Sequence, residues 1–173
     1  FIYHYRNKME FTFSPNRWVL ESEPEGVDKS FALGLHIPGR FDKILNINNC
    51  HIQPEIGNKI LEVVREVCLG NSELRPYDPR SHIGFLRFLM LRFGVNTGDL
   101  MVNVVTSYHD IDKLSLLTDK LLDKFVRNNT IKKFGPVREV KKKIVLEVAF
   151  DEISRSKRHK SGLALRFPRI SNI

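Results

Sequence analysis

Cysteine is scarce in this chain, with two in 173 residues, Cys50 and Cys68. They form no C-x-x-C pair and have no histidine at metal-ligand spacing, which argues against a zinc ribbon or a redox dithiol. Two buried, reduced thiols are the expectation, and an internal disulfide is not expected in a reducing compartment. The six histidines are scattered, with no H-E-x-x-H. There is also no G-x-S-x-G and no phosphate-cradling glycine loop, so the zincin, serine hydrolase and P-loop readings fall away. Long apolar runs are missing as well. The best candidate, "FLRFLMLRF", is broken by Arg87 and Arg92 and is too short to span a bilayer. No basic amphipathic helix with an aromatic face offers a membrane-surface role. The opening "FIYHYRNKMEF" lacks the basic-then-apolar order of a signal peptide, and the cytoplasm is the expected location. A start without Met points to a fragment or a processed product.

The balance of 42% hydrophobic and 28% charged residues is that of a globular chain long enough to bury a core. The net charge of +8 is unevenly placed. Residues 1–128 carry 16 Lys/Arg against 16 Asp/Glu, whereas residues 129–173 carry 12 against 4. A basic end on a neutral body fits a polyanion-facing surface, because cations that neutralise phosphates release counterions. A solubilising tail is the alternative, but this end holds strand-like apolar runs.

The period of the apolar residues predicts the elements. "MEFTFS", "RWVLESE" and "SFALGLHI" read as strands, the last two separated by the turn-rich "PEGVDK", and "RFDKILNI" as a short extended piece. Ile56, Ile60, Val63, Val64 and Val67 recur at helical spacing after Pro54, predicting an amphipathic helix closed by Gly70. "NSELRPYDPRSH" is a loop. "IGFLRFLMLRFG" and "LMVNVVTSY" form a hairpin whose first strand is central and carries Arg87 and Arg92 at its polar margins. Arg87 is either a core-edge arginine whose stem packs on apolar surface or a phosphate contact on the sheet. "DIDKLSLLTDKLLDKFVRN" is a second helix, with Leu114, Leu117, Leu121 and Phe125 on one stripe. Asp110 and Asp112 suit its amino end, and Lys124 and Arg127 its carboxyl end. A Gly-Pro turn, a strand around 144–150, the basic loop "SRSKRHKSG" and one closing strand "LALRFPRI" complete the chain. The resulting fold class is α+β: an antiparallel sheet with a covering helix over 1–107, a connecting helix over 108–128, and a β-rich basic segment over 129–173.

Two resemblances are carried by these residues. "YRNKMEFTFS", "GLHIPGRFDKILNINNCHIQP", "YDPRSHIGFLRFLMLRFG" and "GDLMVNVVTS" resemble, in order over about 5–107, the central region of RNA uracil-5-methyltransferases. That resemblance implies an S-adenosylmethionine-dependent enzyme acting on uridine in ribosomal or transfer RNA. It places Cys50 at the fourth ligand position of an iron–sulfur cluster, although the other three cysteines are not in this chain and Cys50 alone binds no cluster. It also places the cofactor-binding glycine motif and the catalytic groups in a following domain that the chain lacks.

From about 122 to 170, "LDKFVRNNTIKKFGPVREVKKKIVLEVAFDEISRSKRHKSGLALRFPRI" resembles the carboxyl-terminal OB-fold domain of ATP-dependent DNA ligases. It implies phosphate contacts from Arg166 and Arg169, since a guanidinium binds phosphate oxygens bidentately. It implies a DNA-backbone loop of Lys157, Arg158, His159 and Lys160. Solvated surface charge is the plainer alternative for each. About 45 residues were expected to supply three strands where a closed barrel wants five, hence a partial OB-like segment. A ligase needs a nucleophilic lysine in K-x-D-G to take the adenylyl group from ATP with magnesium, and no K-x-D-G occurs. The chain therefore reads as two enzyme fragments joined near 107–122, naturally or artificially. It is expected to bind RNA or nicked DNA, to hold no cofactor itself and to have no autonomous catalysis. A part of either parent enzyme, or a chain without a physiological role, is the alternative.

Overall fold

The computed structural model describes residues 2–134, 137–140, 147–149, 152–155, 163–166 and 169–172, with side chains as far as Lys124 and at Arg127. The elements are β1 Lys8–Ser14, β2 Arg17–Trp18, β3 Ala32–Ile37, β4 Arg40–Asn46, α1 Glu55–Leu69, β5 Leu86–Phe93, β6 Leu100–Thr106 and α2 Ile111–Asn129. Six short strands follow: β7 Thr130–Phe134, β8 Val137–Val140, β9 Glu147–Ala149, β10 Glu152–Arg155, β11 Leu163–Arg166 and β12 Arg169–Asn172. The α+β class is as expected.

The first six strands form one sheet in the order β2-β4-β3-β1-β5-β6. Alternation along β1 turns Met9, Phe11 and Phe13 to one face, where they are buried with Leu33, Leu89 and Leu91. Ile60, Leu61 and Val64 of α1 and Leu117 of α2 complete that core. The predicted connecting helix is thus a second covering helix, because its Leu114–Leu117–Leu121 stripe has the same apolar surface to bury. Asp110 accepts a bond from the Lys113 amide at 3.0 Å and caps it.

The structure corrects four expectations. β2 is two residues long and runs parallel to β4, so the sheet is not wholly antiparallel. Glu23 draws the chain away from the sheet by pairing with Arg17 and accepting from the Leu20 amide at 3.0 Å. On α1, Ile56 is 44% exposed and Leu61 is fully buried in its place. The first turn of α1 is instead occupied by a polar cluster around Asn58, which leaves Ile56 on the solvent side. The closing strand is two strands, β11 and β12, which pair with different partners: β11 with β10, and β12 with β9. Among the described residues, 130–172 accordingly hold six strands rather than three, paired as three two-stranded sheets. Gly135, Pro136 and the basic loop lie outside the described residues.

Candidate nucleic-acid interface

With both helices on one face, register defines what the other face presents. Lys8, Glu10 and Thr12 of β1 stand opposite Arg92, Met90 and Phe88 of β5. Those three in turn face Met101, Asn103 and Val105 of β6. On the other side, Thr12 faces Gly34, and His36 faces Ile44. This face is polar and cationic at its margins and lightly apolar at its centre, and among the described residues no helix covers it. Arg87 and Arg92 are both exposed and make no ion pair among the described residues.

Arg87 owes its position to a bulge. The register between β5 and β6 slips between Leu86 and Phe88, so Arg87 is an extra residue outside the alternation. Leu86 and Leu89 are therefore both buried, while Arg87 projects to solvent. Its guanidinium carbon lies 4.9 Å from the centre of the Tyr77 ring and 5.6 Å from that of Phe88. Arg87 thus projects to solvent with its head held on aromatic faces.

The 76–84 loop that carries Tyr77 is fastened at several points. The Tyr77 amide donates to the Leu86 carbonyl at 2.8 Å, and the Asp78 amide to the Ile83 carbonyl at 2.8 Å. Tyr77 Oη lies 2.8 Å from His82 Nδ1. Asp78 accepts from the Arg80 amide at 3.0 Å and the Ser81 hydroxyl at 3.0 Å. The first of these is the main reason that its carboxyl titrates below the ordinary range. Arg80 reaches across to β4 and donates to Asp42 at 2.6 Å. Between this loop and the sheet lies a cleft of about 130 Å³ bordered by Thr12, His36, Phe41, Asp42, Tyr77 and Arg87. Phe41 stands at its rim and is 72% exposed.

The sequence-predicted residues divide accordingly. Arg87 and Arg92 share the open face. Arg166 and Arg169 lie on separate two-stranded sheets, opposite Glu152 and Ala149 respectively. Lys157, Arg158, His159 and Lys160 lie outside the described residues. Cys50 is buried beside α1, where its amide donates to Asn58 Oδ1 at 2.9 Å. Burial pushes the Cys68 thiol up to about 12, which makes it a poor thiolate ligand. A cluster held by four thiolates does not fit a chain with two cysteines, and no group of three potential metal ligands occurs among the described residues. Sequence reasoning passed over Phe41, Asp42 and Tyr77. The available signal was a Phe directly after the "PGR" turn, facing the only Tyr of the "RPYDPR" loop.

No family model matches the chain. An uncharacterized RNA methyltransferase of Chlorobaculum tepidum is 41% identical over 122 residues, covering 68% of this chain and 25% of its own length. An uncharacterized RNA methyltransferase of Porphyromonas gingivalis is 40% identical over 129 residues, 70% of this chain and 28% of its own. A probable DNA ligase of Koribacter versatilis is 45% identical over 155 residues, 87% of this chain and 26% of its own. Relatives named RNA methyltransferase and DNA ligase meet the two resemblances read from the sequence in their coarser form. The chain spans about a quarter of the length of these relatives. The matched shares together exceed the whole chain, so the methyltransferase-like and ligase-like stretches have residues in common. A solved tRNA (uracil-54, C5)-methyltransferase of Pyrococcus abyssi, in complex with S-adenosyl-L-homocysteine, superposes with a TM-score of 0.47 at 21% identity, over 63% of this chain and 23% of its own. Among the described residues, no helix is long and apolar enough to cross a membrane.

Proposed function

We propose that this chain binds nucleic acid as the RNA-engaging region of an RNA uracil-5-methyltransferase type of protein, joined to a ligase-like basic end, without catalysis of its own. The observation that carries the reading is the open sheet face with Arg87 and Arg92, two exposed guanidiniums without carboxylate partners among the described residues. Guanidiniums of this kind suit bidentate phosphate contact, and a sheet covered by helices on one side only leaves the other for a ligand. The similarity to RNA methyltransferases over 68% of the chain makes RNA the first choice of polyanion. On this reading 23S ribosomal or transfer RNA is the substrate class of the whole protein, and S-adenosylmethionine is bound by residues other than these. The excess of cations in 129–173, with Arg166, Arg169 and the 157–160 loop, adds sequence-independent attraction.

The ligase likeness over 87% of the chain favours a second reading, the closing of a basic domain over nicked duplex DNA. A salt titration against a structured RNA hairpin and nicked duplex DNA, run side by side, separates the two. The RNA reading expects tighter hairpin binding that survives truncation at residue 129. Preference for nicked DNA, with affinity lost on Arg166→Ala, supports the ligase reading instead. Absence of binding to either near physiological salt refutes both.

A further inference from the structure

We infer that the cleft between Phe41, Tyr77 and Arg87 is a nucleobase subsite that takes an unstacked base of single-stranded RNA, an inference that rests on the RNA-binding reading above. Phe41 is 72% exposed and sits at the mouth of a cleft, so its ring is open to an incoming group. The opposite wall is an aromatic ring with a guanidinium laid on it, Tyr77 with Arg87 at 4.9 Å. Aromatic rings and arginine planes are the two surfaces on which splayed RNA bases stack.

The rest of the lining matches a polar heterocycle better than a lipid chain or an aliphatic side chain. Thr12 and His36 bring polar groups to the cleft that an apolar occupant would leave without a partner, and Asp42, already paired with Arg80, adds an acceptor. The volume of about 130 Å³ admits one small ring system and no helix or strand. The wall does not need to form on binding. Tyr77 is held by the hydrogen bond its amide donates to the Leu86 carbonyl and by His82, and Asp42 by Arg80. Charge agrees with geometry, since Arg87 borders the cleft and Arg92 lies further along the same strand, beside Lys8, where a strand's phosphates can be met. Duplex RNA keeps its bases stacked and cannot fill such a cleft, so the subsite selects single strands.

The test measures fluorescence anisotropy of the full 173-residue chain with three labelled RNAs of equal length: an unstructured strand, a duplex, and a strand of abasic residues. Phe41→Ala should weaken the unstructured strand by about 5- to 150-fold, the range observed for losing one stacked base. It should leave the duplex and the abasic strand unchanged, and Phe41→Trp should restore the affinity. Because Phe41 is exposed, folding is retained, which far-UV circular dichroism checks. Equal affinity of wild type and Phe41→Ala for the unstructured strand overturns the subsite, as does an equal loss on all three RNAs. If the wild type binds none of them, the RNA-binding reading itself fails, and the subsite fails with it.

Discussion

Gly84 is the residue on which the geometry of the open cleft turns. It has φ of +117°, and an added Cβ would collide with the Pro76 carbonyl and come within 2.6 Å of Tyr77 Cα. The segment that would have to yield is the one that carries the Tyr77 ring beneath Arg87. Two costs therefore add in Gly84→Ala: backbone strain of about 1–3 kcal/mol for a side chain in that region, and forced displacement of packed backbone of about 1–3 kcal/mol. A loss of about 2–6 kcal/mol is expected in urea unfolding. Gly39→Ala is the control, because Gly39 also has positive φ, +75°, but nothing lies within 4 Å of its added Cβ. It should cost about 1–2 kcal/mol, the left-handed penalty alone. If the two variants fall within about 0.5 kcal/mol of one another, a usual limit for surface changes, the close approach at Pro76–Tyr77 is not real and the cleft has no fixed wall.

Three further outcomes follow from the same contacts. Asn58→Ala removes the acceptor of the Cys50 amide and of Gln53 Nε2, at 2.9 and 2.8 Å. Leaving those buried donors unpaired should cost about 2–4 kcal/mol in urea unfolding, and a loss under about 0.5 kcal/mol would contradict the network. Both cysteines are buried and the Cys68 thiol is pushed up to about 12, so a thiol reagent at pH 8 should label neither in the native chain and both in urea. One rapidly labelled thiol would refute that burial. Asp78 is more acidic folded than its ordinary value of 3.8, so its contribution is present above that pH and fades as the pH falls through its folded value. The stability gap between wild type and Asp78→Asn should therefore close with acidification below about pH 4. A gap constant from neutral pH to pH 3 would show that the carboxylate does not fasten the loop.

Much of the sheet was legible because its residues alternate, and both helices because their stripes repeat at helical spacing. Three features were not, and each has a physical reason. Ile56 fits the helical stripe, yet the first turn of α1 is occupied by the Asn58 cluster, whose bonds to Asn49, Cys50 and Gln53 no periodicity reveals. Arg87 cannot be placed by counting twos, because the bulge at Leu86–Phe88 resets the alternation at the start of the strand. The "LALRFPRI" run reads as one strand, but its two halves pair with strands from different parts of the basic end, a choice made by tertiary pairing. Of the site, the arginines announced themselves by interrupting an apolar run. Phe41, Asp42 and Tyr77 did not, since it takes the sheet order to bring the turn after β3 beside a loop some 40 residues on.

The claim at the centre of this account is that the helix-free face of the sheet meets RNA. Photocrosslinking with 4-thiouridine RNA, followed by mass spectrometry of the peptides, reads that contact without relying on any variant. Adducts in the peptides holding Phe41, Tyr77 and Phe88, with none in 55–69 or 111–124, are the expected result. Adducts concentrated on those two helical segments, with the sheet peptides unlabelled, would place RNA on the opposite side and contradict the account.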